Sequence, residues 1–274
     1  MIKRELGHTG MKFSAIGLGT WKMEADEHAA IAAIHLGIEA GANHIDTAEM
    51  YGGGEVERIV GKAVKGQRSQ IHVTSKVLPS NATYAGTITA CERSLKNLGM
   101  DHLDLYLLHW REEIPLGETI KAFEKLKLAG KIRAYGVSNF DVADLEEAVR
   151  LAGPGKIACN QVLYNLKERA IEADVLPWCH DRGISVVAYS PLGTGELAND
   201  PVLKEIAFNH NVTAAQVALS FLARHKRVFA IPKSSDSKRV IENVTAPVLE
   251  LTPHDVARID KAFPVGKKAG LPMA

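Results

Sequence analysis

Short apolar runs alternate with longer helix-period segments along this chain, and that alternation constrains the fold more than any single residue does. Eight runs read as strands: residues 15–19, 44–47, 71–76, 103–108, 132–137, 157–162, 185–189 and 228–231. Near-continuous apolar and β-branched runs of this length suit strands buried on both faces, as in a parallel sheet. Residues 26–40 put Ala30, Ile31, Ile34 and Ile38 on one stripe and end at Gly41. Residues 84–98 carry Ile88, Cys91, Leu95 and Leu98 before Gly99, and 117–129 carry Ile120, Phe123 and Leu126 before Gly130. Such stripes closed by glycine are helix patterns with C-terminal stops. Residues 141–151 open on the N-cap Asp141, and 172–182 end at Gly183. Helices 201–210 and 213–225 (opened by Thr213) lie between the seventh and eighth strands, and 237–245 follows the eighth. A last helix, 252–262, starts with Thr252-Pro253, a cap followed by the proline that suits a first turn.

Eight strand–helix units in about 250 residues predict an α/β fold, a closed (β/α)8 TIM barrel with two extra helices. Ahead of the first strand, residues 3–13 read as a hairpin with Gly7-His8-Thr9-Gly10 as its turn, placed to plug the barrel bottom. No linker or low-complexity segment divides the chain, so residues 1–274 are expected to form one domain. The glycine-rich tail at 266–270 is expected to be mobile. The competing fold is an open doubly wound sheet, but no GxGxxG follows any strand. Thirty-three basic against thirty-two acidic residues, a net charge of +1, leave no global field for nucleic acid or an anionic membrane. No apolar run approaches the roughly 18 residues of a spanning helix, and no secretory pattern follows Met1. A cytoplasmic protein is expected. The three cysteines, Cys91, Cys159 and Cys179, form no CxxC pair and are expected to be reduced packing residues. With no long exposed apolar stripe, a monomer is expected.

In a barrel of this kind the chemistry sits at the C-terminal ends of the strands. Asp46 ends the second strand, and Tyr51 follows in a loop that continues Gly52-Gly53-Gly54. Lys76 ends the third strand, and His109 ends the fourth, with Trp110 next. Alone, each has an ordinary reading: Asp46 a cap, Lys76 a snorkelling side chain, His109 a structural donor, Tyr51 a surface aromatic. On neighbouring strands roughly 4.8 Å apart, the four converge on one mouth. The set has a chemical logic. Reducing a carbonyl needs an acid for the developing alkoxide, and tyrosine is a weak one. A nearby ammonium such as Lys76 is expected to lower the Tyr51 pKa, Asp46 to hold Lys76 charged, and His109 to polarise the carbonyl.

These segments resemble the aldo-keto reductases: Ile45-Asp46-Thr47-Ala48-Glu49-Met50-Tyr51-Gly52, Ser75-Lys76-Val77, Leu107-Leu108-His109-Trp110, Gly136-Val137-Ser138-Asn139-Phe140, Asn160-Gln161-Val162 and Ile231-Pro232-Lys233-Ser234. The likeness runs in order from Gly17-Leu18-Gly19-Thr20-Trp21 to about Phe263, and is nearest to the short bacterial members, some of which reduce methylglyoxal-like aldehydes. The resemblance implies NADPH-dependent reduction of small aldehydes and ketones, with NADPH/NADP+ as cofactor and a small carbonyl compound as substrate. It implies Tyr51 as proton donor, Lys76 and Asp46 as the groups that tune it, and His109 as the residue that orients substrate. Ser138, Asn139 and Gln161 would bind the nicotinamide carboxamide, and Tyr189 would stack on the ring. Ser190, Pro191 and Leu192 would follow the pyrophosphate, and Ile231 and Pro232 would lead to Lys233, Ser234 and Arg239 on the adenosine 2′-phosphate. Glu242 and Asn243 would lie near the adenine. Gly19, Thr20 and Trp21 would line the mouth, with Trp21, Tyr51, His109 and Trp110 facing substrate. Cations and hydroxyls beside the last strand and the following helix suit a phosphate in their own right.

The sequence also departs from the family. Tyr51 is followed by Gly52-Gly53-Gly54-Glu55 where the family often has Tyr-x-Asn-Glu, and both the tail and the stretch 111–116 are short. An open pocket with broad substrate use is expected. Other readings fare worse. His44, His72, His102 and His109 lie near strands, but no histidine or cysteine pair has ligand spacing on one element, so no metal is expected. An isomerase without nicotinamide would leave Ser138-Asn139, Gln161, Tyr189 and Lys233 unexplained. A non-catalytic role would leave the complete quartet unexplained.

Overall fold

The computed structural model describes residues 2–266 and 271–273; of the tail expected to be mobile, 266–270, residues 267–270 lie outside them. A two-stranded antiparallel hairpin comes first, β1 (Lys3–Glu5) with β2 (Lys12–Ser14). Eight parallel strands follow, each beside its neighbour in the chain: β3 (Leu18–Gly19), β4 (His44–Asp46), β5 (His72–Val77), β6 (Leu103–Leu108), β7 (Ile132–Ser138), β8 (Ile157–Leu163), β9 (Ser185–Tyr189) and β10 (Val228–Ala230). The two ends of the sheet meet. Ile16 bridges Ala230 in parallel, the Gly17 N–H donates to the Ala230 carbonyl at 2.9 Å, and the Gly19 N–H donates to the Pro232 carbonyl at 3.1 Å. These bonds close the barrel and exclude the open doubly wound sheet. Gly19 is required here: a Cβ would stand 2.5 Å from the Ile231 carbonyl oxygen and push the closing strands apart.

All six residues of β6 are buried, as expected for a strand covered on both faces. Outside the sheet, Ile34, Val60, Leu95, Phe123, Leu145 and Phe221 pack between strands and helices. Inside it, Leu105, Leu107, Ala134, Val187 and Phe229 fill the barrel, and Leu6 and Phe13 of the hairpin plug its lower end. The barrel is therefore a packed core with its opening at the top.

Most helices lie where periodicity and caps place them: α1 (Glu27–Glu39), α3 (Tyr84–Leu98), α4 (Leu116–Leu128), α5 (Val142–Ala152), α7 (Pro201–His210), α8 (Ala214–Ala223), α9 (Ser237–Thr245) and α10 (Pro253–Ala262). The Asp26, Thr83, Asp141, Thr213 and Thr252 side chains each accept a first-turn N–H. Two helices differ from expectation. α6 (Val175–Asp181) starts later than 172, after a 3-10 turn over Ala170–Ala173. α2 (Glu55–Ala63), directly after Tyr51 and the glycines, was not expected at all. It buries Val56, Ile59, Val60 and Ala63 on one face, but its N-cap is Gly54 with no side-chain bond, so the usual start signal is missing.

Cys91, Cys159 and Cys179 are free and buried. Burial pushes the Cys91 and Cys179 thiols up to about 12 and raises Cys159 as well. Among the described residues no helix is long and apolar enough to cross a membrane.

Candidate active site

Parallel pairing brings the expected residues to one end of the barrel. Gly19 pairs with Asp46, Asp46 with Thr74, Lys76 with Leu107, and Ser138 with Gln161. The Lys76 side chain is completely buried, and its Nζ donates to Asp46 Oδ1 at 2.5 Å, to the Thr47 carbonyl at 2.8 Å and to the Tyr51 hydroxyl at 3.5 Å. A buried ammonium needs that full set of partners. Burial alone would lower the Lys76 pKa; the charges of Asp46 and Tyr51 and the bonds to both outweigh it, and the net shift is upward. The second Asp46 oxygen, Oδ2, accepts from Gln161 Nε2 at 2.7 Å, and the Asp46 carbonyl accepts from Thr20 Oγ1 at 2.8 Å.

Tyr51 opens a 3-10 turn, Tyr51–Gly54, in which Gly52, Gly53 and Gly54 have φ of 55°, 60° and 92°. Three successive left-handed residues make this sharp turn one that strongly favours glycine. Lys76 Nζ lies 5.0 Å from the centre of the Tyr51 ring, and the His109 ring meets that ring edge-on at 6.0 Å. The expected lowering of the Tyr51 pKa is corrected by the structure. Burial raises it, Lys76 pulls it down, Asp46 partly cancels Lys76, and the net direction is up.

His109 follows β6 directly. Its N–H donates to the Val77 carbonyl at 2.9 Å, and its carbonyl accepts from Asn139 Nδ2 at 3.2 Å. Burial, then the Lys76 charge, pushes its pKa down to about 2, so the ring is neutral. Its Nδ1 is buried without a partner among the described residues. A proton there would be an orphaned donor, which favours the tautomer protonated on Nε2.

Ser138 Oγ donates to the Gln161 carbonyl at 2.8 Å. Asn139 Nδ2 also donates to Ser138 Oγ at 3.2 Å, and Asn139 Oδ1 accepts from the Tyr189 hydroxyl at 2.9 Å. Asn139 and Ser190 have φ of 61° and 47°. Left-handed non-glycine residues are uncommon and concentrate where surrounding structure holds a site.

Together these residues open a cavity of about 370 Å³, lined on one side by Asp46, Tyr51 and His109 and on the other by Ser138, Asn139, Gln161, Tyr189 and Ser190. Lys76 lies behind this wall rather than on it. Gly19, Thr20, Trp21, Ile231 and Lys233 carry the cavity outward, and Trp110 stands at its rim. Met50 and Met273 also line it and were not anticipated. The short tail thus contributes to the pocket. No periodic pattern marks Met273, and only the folded path of the chain brings it to the mouth.

The sequence profile of the Aldo/keto reductase family matches residues 15–263. The chain belongs to the aldo/keto reductase family. It is 46% identical over 261 residues to methylglyoxal reductase YeaE of Escherichia coli, covering 92% of each chain. It is 38% identical over 256 residues to a glyoxal reductase of Bacillus subtilis, covering 92% of this chain and 90% of that one. An aldo-keto reductase from Klebsiella pneumoniae, solved in complex with NADPH, shares 40% identity and superposes with a TM-score of 0.95 over 100% of both chains.

In this aldo/keto reductase the residues expected on the phosphate side spread around the end of β10. Lys233 is exposed on the cavity, while Pro232, Ser234 and Asn243 line a smaller recess with Gly17 and Gly19. Arg239 is exposed on the first turn of α9, and Glu242 pairs with Lys238 at 3.8 Å. Among the described residues neither Lys233 nor Arg239 has an ion-pair partner. Lys233 and Arg239 carry the cationic donors a phosphate monoester needs and fit the 2′-phosphate of NADPH in charge, while the Ser234 hydroxyl already bonds the Asp236 backbone. The start of α9 is less suited than expected, because Asp236 already caps it by accepting the Arg239 N–H at 2.9 Å. Pro191 is buried and Leu192 packs on the outer core; neither lines the cavity.

Proposed function

We propose that this enzyme reduces small aldehydes and ketones to alcohols with NADPH, and that methylglyoxal-like 2-oxoaldehydes and aromatic aldehydes are its substrates. The observation that carries the reading is the buried chain Asp46–Lys76–Tyr51, which ends at a cavity wall shared with a neutral His109. NADPH, when bound, supplies a hydride to the carbonyl carbon. Ser138, Asn139 and Gln161 would hold its carboxamide, Tyr189 would support its nicotinamide ring, and Lys233, Ser234 and Arg239 would hold the 2′-phosphate.

His109 donates from Nε2 to the carbonyl oxygen and fixes its position. Tyr51 gives its hydroxyl proton to the same oxygen as negative charge develops there. Its raised pKa keeps that proton in place at neutral pH, and an alkoxide is basic enough to take it. Lys76, held charged by Asp46, stabilises the phenolate left behind. The rim formed by Trp21, Met50, Trp110 and Met273 is apolar or aromatic and suits neutral carbonyl compounds. Trp21 is 50% exposed, in keeping with an open mouth and broad substrate use. The proposal includes a single-domain monomer working in the cytoplasm; three free buried thiols suit a reducing compartment.

The test is loss of NADPH absorbance with a panel of small aldehydes, methylglyoxal among them, beside Tyr51→Phe. Turnover is expected to fall by about 100-fold or more in that variant while NADPH still binds. Undiminished turnover would remove Tyr51 as the acid.

A further inference from the structure

Glu49 lies between Asp46 and Tyr51, and nothing above gives it a role. It is a buried carboxylate, its side chain 5% exposed, and it turns toward the next strand. Oε1 accepts from the Leu78 N–H at 2.7 Å and from Asn81 Nδ2 at 3.0 Å, and Oε2 pairs with Arg93 of α3. The Glu49 N–H reaches the Lys76 carbonyl at 3.4 Å, extending the pairing of the Thr47 N–H with the Thr74 carbonyl.

We infer that Glu49 is a positioning residue: it clamps the loop that carries Tyr51 to the chain that carries Lys76, and so sets the distance between phenol and ammonium. Two observations point this way. On its C-terminal side Tyr51 is followed by three glycines, which restrain a loop poorly. On its N-terminal side Glu49 supplies a side-chain anchor, bonded to Leu78 two residues after Lys76. The Tyr51 hydroxyl stands 3.5 Å from Lys76 Nζ, at the outer limit of a hydrogen bond, so a small further displacement of the loop breaks the contact. Glu49 has no place on the cavity wall; its influence runs through Tyr51 and Lys76.

The inference rests on Tyr51 as the proton donor, and Tyr51→Phe is assayed in parallel to keep the two apart. Glu49→Ala is expected to lower kcat about 10- to 100-fold, since a displacement near 1 Å at the reacting groups has that effect. The KM for the aldehyde and the Kd for NADPH are expected to stay within about threefold. In the alcohol-oxidation direction Tyr51 must be deprotonated, so weaker contact with Lys76 is expected to move the rise of kcat to higher pH. Glu49→Gln keeps a carbonyl acceptor for Leu78 and Asn81 and is expected to recover most of the rate. Glu49→Ala with kcat within about twofold of wild type overturns the inference. So does a loss of kcat that comes with an equal loss of NADPH affinity and an unmoved pH profile, which is general damage. If Glu49→Ala does not fold, Asn81→Ala removes one donor at a partly exposed position. It is expected to lower kcat about threefold and shift the pH profile the same way, and wild-type behaviour there overturns the inference. An active Tyr51→Phe refutes the proton-donor reading, whereas an inactive Tyr51→Phe beside a wild-type-like Glu49→Ala refutes only the clamp.

Discussion

Replacing Lys76 by Met separates the structural role of the buried pair from its chemical one. The Lys76 side chain is 0% exposed and that of Asp46 4%, so removing the ammonium leaves a carboxylate almost completely enclosed. Its remaining side-chain donor is Gln161 Nε2 at 2.7 Å. Breaking one side of such a pair costs about 3–5 kcal/mol. At roughly 2–4 °C per kcal/mol for a chain of this size, Tm is expected to fall by about 6–20 °C. Adding Asp46→Asn removes the stranded charge, and the double variant is expected to return to within about 4 °C of wild type, because an ion pair and a neutral pair of similar volume are often close in stability. Circular dichroism melts of both single variants and the double complete the cycle. Turnover is expected to fall about 100-fold or more in Lys76→Met and to stay low in the double, since the cation facing Tyr51 is still missing. Losses in Tm that simply add, so that the double is less stable than either single, would refute the reasoning.

Two further predictions concern charge. Arg239→Ala is expected to raise the KM for NADPH about tenfold and leave that for NADH nearly unchanged, as one charge-assisted contact to a phosphate is lost; equal effects on both cofactors would remove Arg239 from the 2′-phosphate. His109 has its pKa pushed down to about 2, against about 6.5 for a free imidazole, so kcat/KM is expected to show no histidine break near 6.5. By linkage, a depressed folded-state pKa gives stability that is complete above about 6.5 and is lost as pH falls toward about 2. His109→Gln should therefore have a flatter Tm against pH on the acid side; a steepness equal to wild type would contradict a buried neutral ring.

The barrel was legible because each element carries its own local signal. Thr213 and Thr252 cap α8 and α10, Gly99 ends α3 with φ of 64°, and all six residues of β6 are buried. α2 was missed where that logic fails, since three glycines stand where a capping side chain is usual. Met273 was missed because a chain end carries no periodicity. Gln161 was expected only on the cofactor and is found bonded to Asp46, on a strand four places around the sheet.

By itself, the order of residues determined which segments are strands and most of those that are helices, which strand ends bear Asp46, Lys76 and His109, and that cations follow the last strand. These are local matters of period, caps and composition. Only the tertiary structure decided that Ile16 meets Ala230 to close the barrel, that Glu49 faces Leu78 and Arg93, and that burial outweighs Lys76 in raising the Tyr51 pKa. Those outcomes depend on distances between residues far apart in the chain and on how much water is excluded around them. Desolvation and pairing act in opposite directions, and their balance exists only once the groups are packed together.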